Sequence, residues 1–235
     1  MAFRTNDLPP KVRAMMQAQE RAARAQTDSG TAGPYSRRRE KGEPMILLAI
    51  DPGSTQSAWV LYDTETKMPL CWGKEPNETV RIRMTSPYYS RQDIADNNGF
   101  IGHLAIEMVA CYGMRAGRSL FDTCRWIGRF IEAWGGPYNL VLRKSKWGPG
   151  ADDYMDNGTY PGVCMTMCKI NTAKDTNIRQ AIIDRYGGTK QAAIGLKATP
   201  GPLYGMKADQ WAALAVALTW AEHMRECGLN IGANQ

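Results

Sequence analysis

Met45-Ile-Leu-Leu-Ala-Ile-Asp-Pro-Gly53 carries the clearest structural signal in this 235-residue chain. Its six consecutive apolar residues are too few to cross a bilayer and predict a fully buried strand. Asp-Pro-Gly favours a turn, so the strand is expected to end at Asp51. An acid in that place either begins the turn or points into a site, and this segment alone favours the turn.

The segments that follow predict the other elements of an α/β domain. Strands are expected at 57–62, 68–72, 104–107 and 138–142. Helices are expected at 91–100, 118–134, 175–186 and from about 207 to 225, and a surface loop at 147–163. This order predicts a five-stranded mixed sheet, an antiparallel meander followed by parallel strands, flanked by helices.

Composition and charge predict a globular domain with a basic extension. Apolar residues make up 43% of the chain and charged residues 22%. Residues 1–44 carry nine Lys/Arg against five Asp/Glu, with a short helix expected at 9–26 and a linker after it. We expect the folded domain at 45–227 and a tail at 228–235. A cationic extension is expected to bind a polyanion such as DNA. The alternative is that it serves as a solubilising leader.

Other broad features predict a cytoplasmic protein with no membrane partner, since neither a signal-peptide core nor a membrane-spanning run is present. The six cysteines are predicted to be reduced, buried thiols. Cys164 and Cys168 lack the second half of a zinc site, and the chain has two histidines. Four tryptophans at helical spacing are predicted to be core residues: Trp126, Trp134, Trp211 and Trp220.

Glu107 is an acid inside an apolar run, between Leu-Ala-Ile and Met-Val-Ala. A carboxylate there is costly unless it is paired, protonated or bound to a metal, which favours a functional role. Asp209 precedes the Ala-rich run from Trp211 to Leu218, where an acid is commonly a helix cap.

Taken together, Asp51, Glu107 and Asp209 predict a metal centre. Neighbouring central strands would bring Asp51 and Glu107 together, and a helix packed on the sheet would add Asp209. Three carboxylates are hard oxygen ligands that suit Mg²⁺ or Mn²⁺. Two such ions about 4 Å apart can activate a water and stabilise the leaving oxygen in phosphodiester cleavage.

Three motifs in order resemble those of the RuvC-type Holliday junction resolvases, a branch of the RNase H-like superfamily. Leu47 to Ser54 resembles their opening strand, Leu104 to Glu107 their second acidic strand, and Asp209 to Leu218 their C-terminal acidic helix. The segment from Gly113 to Phe130 looks like the resolvase-like proteins of phages and prophages.

The resemblance implies an RNase H-like fold and an endonuclease that uses Mg²⁺ or Mn²⁺ to cut branched DNA in recombination or phage DNA processing. Its catalytic metal ligands would be Asp51, Glu107 and Asp209. Because a resolvase cuts two symmetric strands, a homodimer is expected.

The last helix departs from the family pattern, which has two acids three residues apart. One alignment makes Asp209 the first acid and puts Ala212 at the second position, and the other makes Asp209 the second and puts Met206 at the first. A second metal would then bind weakly, use water, or use another carboxylate such as Asp175.

Two further departures concern DNA contacts. The family has an aromatic wedge just after the second acid, and Ala110 stands there, with Tyr112 as the nearest substitute. The segment 147–163 is an insertion.

Basic residues on loops near the predicted site are candidate phosphate contacts, which position DNA without reading its sequence. A plain solvated face is the alternative. The candidates are Arg115, Arg118, Arg143, Lys144, Lys146, Lys169, Lys174 and Arg179.

Two other functions remain open from the sequence. Asp51 to Thr55 also resembles the first phosphate loop of actin-like and sugar-kinase-type ATP-binding proteins, although no second Asp-Gly loop follows. The other function is a resolvase relative that grips branched DNA without cutting it, since one acid is missing.

Overall fold

A five-stranded mixed sheet forms the centre of the domain. The computed structural model describes residues 45–85, 100–110, 115–144 and 162–226, and orders the strands β3-β2-β1-β4-β5. They are β1 (Met45–Asp51), β2 (Gln56–Asp63), β3 (Met68–Pro76), β4 (Phe100–Met108) and β5 (Tyr138–Leu142). The first three are antiparallel neighbours, while β4 runs parallel to β1 and β5 parallel to β4. The predicted five-stranded mixed sheet, an antiparallel meander followed by parallel strands, is confirmed.

Helices cover both faces of this sheet. One face packs against α1 (Asn77–Thr85) and α2 (Arg118–Trp134). The other face packs against α3 (Val163–Cys168), α4 (Asp175–Arg185), α5 (Lys190–Ala193) and α6 (Gln210–Glu226). Two short strands, β6 (Gly195–Leu196) and β7 (Thr199–Pro200), form a hairpin before α6. Among the described residues, no helix is long and apolar enough to span a membrane.

The alternation of side chains along each strand separates two cores. On β1, Leu47 and Ala49 belong to the core beneath α6, whereas Ile46, Leu48 and Ile50 belong to the core beneath α1 and α2. Odd-numbered residues of β1 therefore face α6, which is the layer that Asp51 faces too.

Several predicted boundaries were wrong. Phe100 begins β4 and does not end a helix, and residues 91–99 lie outside the described ranges. Val163 is fully buried at the start of α3, not in the predicted loop, most of which is also outside those ranges. The last helix begins at Gln210, because Ala208 has a left-handed φ of 41° that a helix cannot include.

The remaining sequence predictions had mixed outcomes. The helix α1 was not predicted, since its buried side chains, Asn77, Val80 and Met84, give only a weak apolar stripe. Trp134, Trp211 and Trp220 are buried as predicted, and Trp126 is half-buried. Cys71, Cys124, Cys164 and Cys168 are not in disulfides, but of these four only Cys164 is buried. The expected helix at 9–26 lies outside the described residues.

Two glycines of α2 provide a matched test of its predicted end. Gly135 follows the helix with φ 62° and donates its N–H to the carbonyl of Ile131 at 3.1 Å. Because an alanine is strained in this left-handed conformation, Gly135→Ala is expected to lower the free energy of unfolding by about 1 kcal/mol. Gly128 lies mid-helix, where an added Cβ meets nothing within 4 Å. Gly128→Ala is therefore expected to raise the free energy of unfolding by about 0.5–1 kcal/mol. Urea unfolding measures both, and a shift of the same sign in the two variants would contradict the left-handed cap.

Candidate metal centre

Strand register places Asp51 and Glu107 side by side. Ile50 pairs with Ile106 on the neighbouring parallel strand, and the two acids are the next residue on each strand. Ala49 and Ala105, two positions earlier, both lie in the core beneath α6. Because side chains alternate, the two carboxylates project toward that same layer.

Asp209 reaches this region from the turn that precedes α6. Its carbonyl accepts a hydrogen bond from the Ala213 N–H at 3.0 Å, which places it at the start of the helix. Its side chain lines a pocket of about 320 Å³, which Asp51 and Asp175 also line. Ala212 lines this pocket as well, whereas Met206 is buried in the core. Of the two positions at which the sequence lacks an expected acid, Met206 and Ala212, the one beside the pocket is therefore Ala212.

The carboxylates are close enough to affect one another's ionisation. Burial, then the negative charges of Glu107 and Asp209, raise the pKa of Asp51 to about 8, although Arg143 and Lys74 act in the opposite direction. Burial also raises the pKa of Glu107 to about 7, opposed by Arg143 and assisted by Asp175. Acids with raised pKa values beside one another are a common feature of functional sites.

The two carboxylate oxygens of Glu107 have different surroundings. The residue is 8% exposed, and its Oε2 is buried with no hydrogen-bond partner among the described residues. Its Oε1 lies 3.8 Å from Nη1 of Arg143, which is beyond hydrogen-bond distance. A buried, unsatisfied carboxylate oxygen is costly, and a bound cation would satisfy it.

Two cations pair with the carboxylates. The Nζ of Lys74 lies 2.5 Å from Oδ2 of Asp209, and Nη2 of Arg143 forms an ion pair with Oδ1 of Asp175. Across the described ranges, no three His, Cys, Asp or Glu side chains have the spacing of a metal-binding group. The donor set still fits a hard divalent cation, because all the candidate donors are carboxylate oxygens and one of them is orphaned.

The turn after Asp51 is tied to α1. Asn77 donates its side-chain N–H to the carbonyl of Gly53 at 2.9 Å and accepts the hydroxyl of Ser57 at 2.7 Å. The N–H of Gly53 in turn donates to the Ser57 hydroxyl at 3.3 Å. These bonds hold the end of β1 in place and account for Asn77, a buried polar residue that sequence analysis missed.

Among the predicted DNA contacts, Arg143 and Arg179 line the pocket. Near the pocket, Arg143 is half-buried among the carboxylates, and the guanidinium of Arg179 lies 4.5 Å from the ring centroid of Trp211. Lys174 is exposed immediately before α4, and Lys169 is exposed at the end of α3. Lys144 follows β5 and is half-buried.

The other predicted contacts lie elsewhere. Arg115 and Arg118 are exposed at the start of α2, whose helix packs on the opposite face of the sheet, and Arg118 lies 3.8 Å from Asp122. Lys146 and Tyr112 lie outside the described residues.

Lys74 is a cation paired with the pocket residue Asp209, and sequence analysis missed it. Its Cα pairs with Ala58, and Ala58 pairs with Asp51, so the three residues lie in one row across the sheet. Only the register of β3 against β2 shows that Lys74 lies in this row. That register is a property of the tertiary structure.

Comparison with known proteins gives a distant structural likeness. No protein-family model and no curated protein matches this chain. The structure of Thermus thermophilus RuvC matches this chain with 16% sequence identity and a TM-score of 0.46. The match covers 78% of this chain and 97% of the RuvC chain. T. thermophilus RuvC in complex with a Holliday junction substrate is also 16% identical, with a TM-score of 0.47 and coverage of 78% and 96%.

A more remote likeness is to a ROK-family transcriptional regulator, a homologue of the E. coli MLC protein. It is 14% identical with a TM-score of 0.29, and the match covers 44% of this chain and 29% of the regulator. At these identities and TM-scores, none of the three structures assigns a function to this protein.

Proposed function

We propose that this protein is a divalent-metal-dependent endonuclease that hydrolyses phosphodiester bonds in branched DNA such as Holliday junctions. The support is the position of three acids from distant parts of the chain. Asp51 and Asp209 line one pocket, and Glu107 lies beside Asp51 with a buried oxygen that has no partner among the described residues. Such an arrangement of carboxylates is costly without a cation and suits Mg²⁺ or Mn²⁺.

In this proposal, Asp51, Glu107 and Asp209 hold the cation, and Asp175 lies in the same pocket. A bound Mg²⁺ or Mn²⁺ would supply an activated water and stabilise the leaving oxygen. Asp51 and Glu107 would release protons on binding the cation, because their pKa values are raised to about 8 and about 7.

Cationic side chains beside the pocket bind the DNA backbone in this proposal. Lys174 is exposed at the start of α4, and Arg179 is held against Trp211 at the pocket wall. Phosphate contacts of this kind position the DNA and leave base selection to other features. A homodimer would present two such sites to the two strands of a junction.

Charge reversal tests the DNA contacts. Lys144→Glu and Lys174→Glu are each expected to weaken junction binding about 10-fold at low salt and to make the salt dependence less steep, because each removes a phosphate contact. Gel shifts at several salt concentrations measure this, with Lys197→Glu, in the β6–β7 turn, as the matched control. An unchanged salt slope would remove Lys144 and Lys174 from the DNA-binding surface.

A cleavage assay tests the function itself. Purified protein is incubated with four-way, three-way and linear DNA, with and without Mn²⁺, and we expect Mn²⁺-dependent cuts near the branch point of the first two. Cleavage of linear DNA at an equal rate would contradict the preference for branched DNA.

The second candidate function is a protein that binds branched DNA without cutting it. The pairing of Lys74 and Arg143 with the carboxylates favours this reading, as does the absence of an acid at Ala212. It predicts tight junction binding with no product at any Mn²⁺ concentration.

A further inference from the structure

Lys74 places a positive charge at the edge-strand end of the row of paired residues that contains Ala58 and Asp51. It belongs to β3, at the edge of the sheet, and its strand neighbour Trp72 packs against the core beneath α6. The alternation of side chains puts Lys74 on that same face. Edge-strand lysines commonly project into solvent and discourage aggregation. Lys74 instead reaches the residue before α6, with its Nζ 2.5 Å from Oδ2 of Asp209.

The contact between Lys74 and Asp209 is not a strong stabilising interaction. The two side chains are 38% and 49% exposed, and ion pairs that exposed contribute about 0–1 kcal/mol. Its larger effect is on the charge of the pocket, because it offsets the charge of Asp209, one of the three acids proposed to hold the cation.

The direct ion pairs determine how much positive charge the site can accept. With all four carboxylates ionised, four acids meet two paired cations, which leaves a formal charge of −2: the acids are Asp51, Glu107, Asp175 and Asp209, and the cations are Lys74 and Arg143. Arg179, which also lines the pocket, brings the sum to −1. One divalent ion already offsets that charge. Two would leave an excess of positive charge in a partly buried site, which is unfavourable.

The uncharged side chain of Ala212 also limits the negative charge available to a second divalent ion. It lines the pocket three residues after Asp209, on the adjoining turn of the chain, and carries no charge. A carboxylate at this position would be a near neighbour of Asp209. Its absence leaves Asp209 with Lys74 as its charged partner in the structure.

We propose that Lys74 is a positioning residue that takes the place of a second divalent ion, so that the pocket binds one Mg²⁺ or Mn²⁺ per chain. This inference rests on the proposed nuclease function. Lys74 acts through Asp209: its ammonium group holds that carboxylate and repels a further cation from it.

Isothermal titration of the full-length protein with MnCl₂ tests the inference, because it counts bound ions without relying on cleavage. We expect one Mn²⁺ per chain in the wild type and in Lys74→Arg, which keeps the positive charge. Lys74→Gln is expected to bind that ion about 10-fold more tightly, because a repelling charge is gone. Lys197→Gln, at a lysine in the β6–β7 turn that does not line the pocket, should match the wild type.

The decisive variant combines Lys74→Gln with Ala212→Asp. Removing the cation and adding an acid beside Asp209 changes the formal charge of the site by −2, and we expect two Mn²⁺ per chain. A merely structural role for Lys74 predicts no gain in the number of bound ions.

The failures are distinguishable. Two ions in the wild type would overturn the inference and leave the proposed nuclease standing, and so would a count of one in the folded double variant. No binding of Mn²⁺ by the wild type would contradict the proposed function as well.

Discussion

Asp51→Asn is expected to lower Mn²⁺-dependent cleavage of a four-way junction by about 1,000-fold, since the loss of a metal ligand removes roughly 4 kcal/mol of transition-state stabilisation. Glu107→Gln is expected to do the same, because the two acids occupy adjacent positions on parallel strands. Single-turnover cleavage with excess protein measures the chemical step separately from product release.

The control for this prediction is Asp184→Asn. Asp184 is an exposed acid near the end of α4, where it accepts a hydrogen bond from the Gln180 side chain at 2.8 Å. This variant should cleave at the wild-type rate, and all three variants should retain junction binding in gel shifts. Cleavage by Glu107→Gln within threefold of the wild type would contradict the assignment of Glu107.

The second large effect is expected on the stability of the metal-free protein, because ionisation of the buried Asp51 should destabilise the folded state at neutral and higher pH. Its pKa is raised from 3.8 to about 8, so the folded state holds a proton that the unfolded state has released. The free energy of unfolding of the wild type should therefore fall as pH rises from about 4 to about 8. Asp51→Asn removes this contribution, because an amide does not ionise.

We expect metal-free Asp51→Asn to be more stable than the wild type at pH 8 by about 2 kcal/mol, a rise in Tm of about 4–8 °C. The difference should shrink toward zero near pH 4. Thermal unfolding in EDTA across this pH range measures it, with Asp184→Asn as the control. A Tm of Asp51→Asn at or below that of the wild type at pH 8 would contradict the electrostatic account.

Added Mn²⁺ should reverse the order of stability. At 100 times its dissociation constant, a ligand that binds only the folded state adds about 2.7 kcal/mol. The wild type should gain this amount and Asp51→Asn should gain little, since it lacks a ligand. An equal gain in both proteins would place Mn²⁺ at some other site.

The elements with strong local signals could be predicted from the sequence. The strand β1 is a continuous apolar run, β4 contains the buried apolar stretch Leu104 to Ile106, and α2 combines an apolar stripe with a glycine that ends the helix in the left-handed conformation. Asp51 and Glu107 were found because an acid in or beside a buried strand conflicts with packing. These are local rules, which involve neighbours within a few residues.

Other features followed from contacts between distant parts of the chain. The helix α1 has a weak apolar stripe and depends on packing against α2 and the sheet. The pairing of Lys74 with Asp209 joins residues 135 positions apart, and it requires the register of β3 as well as the turn at Ala208. Arg143, a predicted phosphate contact, pairs with Asp175 for the same reason.

Local rules thus determined which acids conflict with burial, because the cost of burying a carboxylate depends on the strand that carries it. Only the tertiary structure decided which cations meet those acids. Strand register and the docking of α6 set the distances between charges, and those distances do not appear in any single segment of the chain.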